Sequence, residues 1–173
     1  MKVQQISLTQ TKWNIELSQI NISPSIFLLF VSPEFTDKRK VLNALISKYE
    51  NATILGCSTA GEISDVTVKD RTISLTAIQL EKTTFKKVSF QVRDMNCSEK
   101  AGSEIAKKLY SDSLKHVLIL SDGLNVNGAD LVTGLKFNLP DVSITGGLAG
   151  DGPNFGKTFI INGNEIVDKT IIG

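Results

Sequence analysis

The sequence predicts an α/β protein with a mixed, largely buried β-sheet and helices packed on it, and three features carry that prediction. The stretches 26–31 (IFLLFV) and 116–120 (HVLIL) are nearly unbroken apolar, β-prone runs, as expected of strands covered on both faces. Each run is followed by apolar residues at helical spacing and then by a second short β-prone stretch. Those second stretches empty into glycine-rich loops, Gly56-Cys-Ser-Thr-Ala-Gly-Glu62 and Gly146-Gly-Leu-Ala-Gly-Asp-Gly152.

Taken in order, the first strand spans 26–31. After Pro33, Thr36 is positioned to cap a helix over about 37–49, whose apolar residues Val41, Leu42, Leu45, Ile46 and Tyr49 recur on one face. Residues 52–55 form a short strand ending at Gly56. A strand is expected over 72–80, and an imperfect alternation over 85–92 suggests that a turn at 81–83 folds it into an antiparallel hairpin. Ser98 is a cap for a helix carrying Ala101, Ile105 and Leu109. The strand 116–120 leads into Ser121-Asp-Gly123. A helix beginning at Asn127 or Asp130 then carries Leu131, Leu135 and Leu139 and ends at Pro140. A strand over 142–145 precedes the second glycine loop, and the tail offers strands at 158–161 and 165–167 around Asn162-Gly-Asn164.

The two glycine loops align over more than themselves. Residues 26–32 fall on 116–122, Leu42 and Ile46 fall on Leu131 and Leu135, and 53–61 fall on 143–151. Asp70-Arg-Thr-Ile matches Asp168-Lys-Thr-Ile, close to the end at Gly173. The expectation is an internal duplication of strand-helix-strand-Gly-loop-hairpin units, the second one truncated. Both glycine loops would then leave the carboxyl ends of neighbouring strands and face one crevice, where open α/β sheets bind ligands.

Charge narrows the function classes. The 173 residues hold 19 basic and 18 acidic side chains, a net charge of +1, too little long-range field to suggest nucleic acid or a membrane surface as partner. The longest purely apolar run, 26–31, falls far short of the roughly 20 residues that span a bilayer. Two cysteines and one histidine supply neither a disulfide framework nor the usual structural metal set. The expectation is a cytoplasmic protein with no metal and no cofactor.

Several motifs invite chemistry. Gly152-Pro-Asn-Phe-Gly-Lys-Thr158 has the wrong glycine spacing for a phosphate loop and leads into a strand, not a helix. The 121–128 segment looks like a calcium loop but has Gly134 at the twelfth position, where such loops carry glutamate. Cys57 sits where a nucleophile can sit, but the only histidine, His116, opens a strand at the opposite end of the sheet, which leaves no base for a Cys57-dependent hydrolase or transferase. Recognition is the better reading. Backbone amides of Cys57, Ser58, Thr59, Ala60 and Gly61, and of Gly146, Gly147, Leu148, Ala149 and Gly150, would hold an acidic group of a ligand. Glu62, Asp122 and Asp151, with Ser121 and Gly123 beside them, would hold its amine or hydroxyls. The alternative for each carboxylate is simple loop capping.

Together the 56–62 loop, Ser121-Asp-Gly123, the 146–152 loop and Phe155-Gly-Lys-Thr-Phe159 resemble the N-terminal part of the FIST domain (F-box and intracellular signal transduction), over about 26–173. The resemblance implies a cytoplasmic sensory module that binds small ligands such as amino acids and has no established reaction. The implied signalling partners are histidine kinases, chemotaxis receptors or cyclic-dinucleotide enzymes. A C-terminal domain is expected beyond Gly173, and without it an unpaired strand edge is left through which the domain can form a homodimer. A haem-based nitric oxide sensor is the alternative the resemblance also implies; it would need His116 or a cysteine as axial ligand.

Overall fold

The computed structural model describes residues 1–173 and contains twelve strands and four α-helices. In chain order these are β1 (Lys2–Thr9), α1 (Trp13–Leu17), β2 (Ile26–Val31), α2 (Lys38–Lys48), β3 (Thr53–Ser58), β4 (Glu62–Ser64), β5 (Thr67–Lys69) and β6 (Thr72–Gln79). The second half holds β7 (Ser89–Gln91), α3 (Ser98–Leu109), β8 (His116–Ser121), α4 (Gly128–Asn138), β9 (Ser143–Leu148), β10 (Ile160–Asn162), β11 (Glu165–Val167) and β12 (Thr170–Ile172). The α/β class is as expected, but the strands form two main sheets where one was anticipated. The first has the order β1-β6-β2-β3-β10-β11 and the second β7-β12-β8-β9, while β4 and β5 pair only with each other.

Side-chain parity explains the layering. Along β2, Phe27, Leu29 and Val31 are fully buried against Val41, Leu42 and Leu45 of α2 and Leu17 of α1. The alternate residues Leu28 and Phe30 turn to a separate cluster of Cys57, Leu120, Ala149, Ile160 and Ile172, which draws on both sheets. In the second sheet Val117, Ile119 and Ile171 pack on α3 and α4, and their neighbours Leu120 and Ile172 join the shared cluster. The sheets therefore face each other and the helices lie outside. Fully burying a Leu- or Ile-sized side chain contributes about 1.5–3 kcal/mol, so each helix layer is held chiefly by its own apolar face.

The two sheets share one layout. β2 and β3 are parallel, as are β8 and β9, and β6 and β12 run antiparallel to β2 and β8. The registers correspond: Val31 lies opposite Ser58 and Ile73, and Ser121 opposite Leu148 and Ile171. The sheets differ at one edge. β3 takes β10 as an antiparallel partner, with Ile160 opposite Cys57 and Ile161 opposite Gly56, whereas β9 takes none.

Several expected details are corrected. The hairpin of 72–80 with 85–92 does not form: β6 turns back between β1 and β2, and β7 joins β12 in the other sheet, so the repeat unit as expected is not what folds. The strands expected at 52–55 and 142–145 continue through the glycines to Ser58 and Leu148. Glycine serves there because a Cβ on Gly56 would collide with the Leu29 carbonyl, and one on Gly146 with the Ile119 carbonyl. Thr36 does not cap α2; Asp37 occupies that place, with its carboxylate turned to Trp13 and Lys40. Ser98 is the first residue of α3, not its cap, and its hydroxyl ties Asn127 N–H to the carbonyl of Met95. Asn127 does cap α4, accepting from the amides of Ala129 and Asp130.

Gly146 combines that close approach with φ of 142°, whereas Gly147 faces open space. Gly146→Ala is expected to cost about 2–4 kcal/mol and Gly147→Ala less than about 1 kcal/mol, as measured by urea unfolding.

Candidate functional site

The two glycine loops do meet. Gly150 N–H donates to the carbonyl of Ser58 (2.9 Å), and Ala149 N–H to that of Ser121 (2.7 Å). Ser58 is fully buried, and its N–H donates to Phe159 O (2.9 Å) while its hydroxyl accepts from Phe159 N–H (3.0 Å). Gly123 lies so close to Ala149 that a Cβ would strike the Ala149 carbonyl, and its N–H is held by Thr158 Oγ1. These bonds occupy amides that the sequence offered to a ligand. The amides of Ser58, Thr59, Ala149 and Gly150 are all committed within the chain, whereas those of Ala60 and Gly61 donate to nothing in it.

The three expected carboxylates are likewise engaged. Glu62 is 2% exposed and accepts from Thr59 Oγ1, Thr72 N–H and Thr72 Oγ1. Burial raises its pKa above the ordinary carboxylate value, and the Asp70 charge adds to this against the lowering effect of those hydrogen bonds. Asp122 is 1% exposed and accepts from the amides of Leu124, Asn125 and Lys169 and from the Asn125 side chain. Burial works to raise its pKa, but these four donors outweigh it and hold the carboxyl below its usual range. Asp151 is half-buried and accepts from the amides of Gly156 and Lys157.

Cys57 is 3% exposed within the cluster between the sheets, and burial pushes its thiol pKa up to about 12. It is a thiol, not a thiolate, at neutral pH. His116 is exposed at the amino end of β8, its Nε2 2.9 Å from Thr145 Oγ1, away from the loops at the carboxyl ends.

A cleft lies beside these loops. Its volume is about 680 Å³, and it runs between the β10–β11 hairpin and the β7–β12 side of the second sheet. Lys38 and Lys157 line it together with Glu165, Asp168 and Asp151, and Ser89, Gln91 and Asn162 add neutral polar groups. Lys38 Nζ donates to the carbonyls of Pro33 (3.1 Å) and Phe35 (2.6 Å), and burial, together with the Lys157 charge, lowers its pKa. A smaller hollow of about 120 Å³, lined by Thr59, Ala60, Gly61, Arg71 and Asp151 among others, adjoins the cleft through the shared walls of Pro33 and Asp151.

Of the expected residues, then, Asp151 lines the cleft and Thr59, Ala60 and Gly61 line the hollow beside it. Cys57, Ser58, Glu62, Ser121, Asp122, Gly123, Ala149 and Gly150 line neither. Gly146, Gly147 and Leu148 belong to β9, in the wall of neither. Sequence reasoning missed Lys38, Glu165 and Asp168; Lys157 was in view within the rejected phosphate-loop pattern. Neither His116 nor a cysteine lines the cleft, so the residues present do not fit a haem there. No helix is long and apolar enough to cross a membrane.

These elements make a two-sheet α/β module with a polar cleft lined by charges of both signs. The FIST N domain model matches residues 25–173, and the chain belongs to that family of signal-transduction domains. No curated protein matches the chain.

Two outcomes test the roles assigned here. A carboxyl whose folded pKa is raised favours folding below the unfolded value of about 4.3 and loses that contribution as pH rises through the folded value. Glu62→Gln removes the buried charge and keeps an acceptor for Thr72, so it should be at least as stable as wild type at neutral pH, the two converging in acid. Glu62→Ala orphans Thr72 N–H and should lose about 1–3 kcal/mol. Urea unfolding across pH reads both. In native protein at neutral pH, iodoacetamide should leave Cys57 unmodified and react with it only after unfolding, as followed by mass spectrometry; rapid native modification would contradict the assignment.

Proposed function

We propose that this FIST N domain is a cytoplasmic sensory domain that binds a small zwitterionic metabolite, an amino acid or a close derivative, in the cleft between the sheets. The observation that supports this most directly is the pairing of Lys38 and Lys157 with Glu165 and Asp168 around one space of about 680 Å³, within the range of small-molecule sites. An α-carboxylate finds cationic partners there and an ammonium finds anionic ones. Desolvation of Lys38 strengthens its attraction for an incoming anion, because a buried cation already short of water gains more from a counter-charge. The free amides of Ala60 and Gly61 in the adjoining hollow offer further donors to an acidic group.

The cleft is bounded by elements of both sheets, which gives binding a route to output. A ligand bridging the β10–β11 hairpin and the β7–β12 pair favours the arrangement in which both are in reach, and its differential affinity shifts that population. A histidine kinase, chemotaxis receptor or cyclic-dinucleotide enzyme coupled to the domain would read the shift. Cys57 does not favour an enzymatic reading, since its thiol is buried and protonated and no base adjoins it.

Thermal unfolding against a panel of amino acids and small polar metabolites tests the proposal. A ligand at 100 times its Kd adds about 2.7 kcal/mol, enough to raise Tm by several degrees. The expected result is a selective rise that Lys157→Ala and Glu165→Gln abolish without lowering the Tm of the free protein. No rise with any member, or a rise that survives both substitutions, would overturn this assignment of the site.

A further inference from the structure

The outer edge of β9 is unpaired and carries neither charge nor proline within the strand. Exposed edges in native proteins are blunted by charge, proline or bulges. β1 carries Lys2 and β11 carries Glu165; β7 and β9 both have charges only outside the strand, but the neutral run around β7 is 88–92 between Lys87 and Arg93, whereas that around β9 is the longer 142–150 between Asp141 and Asp151. β9 is also exposed along most of its length.

The groups on that edge can be assigned from its counterpart. In β3, Thr59 N–H donates inward to Val31 O, while Ser58 N–H donates outward to Phe159 O and Ile54 O accepts from Gly163 N–H. In β9 the inward bond is Ala149 N–H to Ser121 O, which fixes the same phase. The backbone of Ile144, Gly146 and Leu148 therefore points outward, as that of Ile54, Gly56 and Ser58 does toward β10. Apolar surface flanks the edge. Leu148 is 47% exposed and lies against Gly128 at the start of α4, and Val132, 49% exposed, follows one turn along the same helix face.

We infer that β9 pairs antiparallel with β9 of a second copy of this chain, about a two-fold axis at Gly146. That register sets Gly146 opposite Gly146 of the other copy and Ile144 opposite its Leu148, so all three outward-facing residues are used and the two four-stranded sheets become one of eight strands. The strand is self-complementary: it has no charge to repel its copy, its two glycines admit close backbone approach, and Ile144 with Leu148 forms an apolar cross-strand pair. The contact is independent of the ligand reading above, because no β9 residue lines the cleft.

Light scattering coupled to size exclusion, on the 173-residue chain over a wide concentration range, should show a monomer–dimer equilibrium. Leu148→Lys should shift it to monomer with circular dichroism unchanged, and Val132→Lys, on the exposed face of α4, should weaken it without touching the strand. A Thr145→Cys/Gly147→Cys double variant should form an intermolecular disulfide under mild oxidation, because these positions oppose each other across the axis, while either single variant should not. A monomer at every concentration overturns the inference. So does association that ignores Leu148→Lys. Association lost on Val68→Lys instead would overturn it in favour of the β4–β5 hairpin, whose Ile63, Val66 and Val68 are also exposed.

Discussion

Ser58 ties the molecule together. Its N–H and hydroxyl hold the backbone of Phe159, and its carbonyl takes the amide of Gly150, so one fully buried residue at the end of β3 binds two segments about a hundred positions away. These bonds bring the β10–β11 hairpin across from the second half onto the first sheet. They also set the distance between the sheets, which the cluster of Cys57, Leu120, Ala149, Ile160 and Ile172 then fills. The cleft lies between that hairpin, fixed on one sheet, and the β7–β12 side of the other.

The charges divide into two groups with different work. Glu62 and Asp122 are almost wholly buried and have their oxygens occupied by amides and hydroxyls, so their energy goes into holding loop backbone in place. Lys157, Glu165 and Asp168 stand at the cleft with their charges accessible, and Lys38 lies between the two groups, held by two carbonyls yet facing the cleft. An unpartnered buried charge is far more costly than an exposed one. Carboxylates deep in the glycine loops consequently serve the fold, and the accessible charges are those on the rim.

Much of the fold was legible because local pattern and burial agree in it. Residues 26–31 and 116–120 read as strands since both of their faces meet apolar neighbours, and α3 and α4 read as helices since one face of each is apolar. β1 was not legible: as an edge strand it leaves Lys2, Val3 and Gln5 exposed, so its sequence shows no clear alternation. α1, β4 and β5 are too short to carry a period. The 72–80 and 85–92 pairing was misread because sequence proximity stood in for spatial proximity, whereas β6 finds better apolar cover between β1 and β2.

The site shows the same division. That the loops at 56–62 and 146–152 approach one another, and that Asp151 stands near a ligand-sized space, followed from glycine placement at strand ends. That the space opens on Lys38, Glu165 and Asp168 did not. The sequence by itself determined the α/β class, the principal buried strands and helices and the family, because those depend on runs and spacings within a few residues. Only the tertiary structure decided that there are two facing sheets, that the amides of Ser58, Thr59, Ala149 and Gly150 are spent, and which charges face the cleft. Each of those depends on a partner far away in the chain, and hydrogen-bond satisfaction can be counted only when both partners are in place.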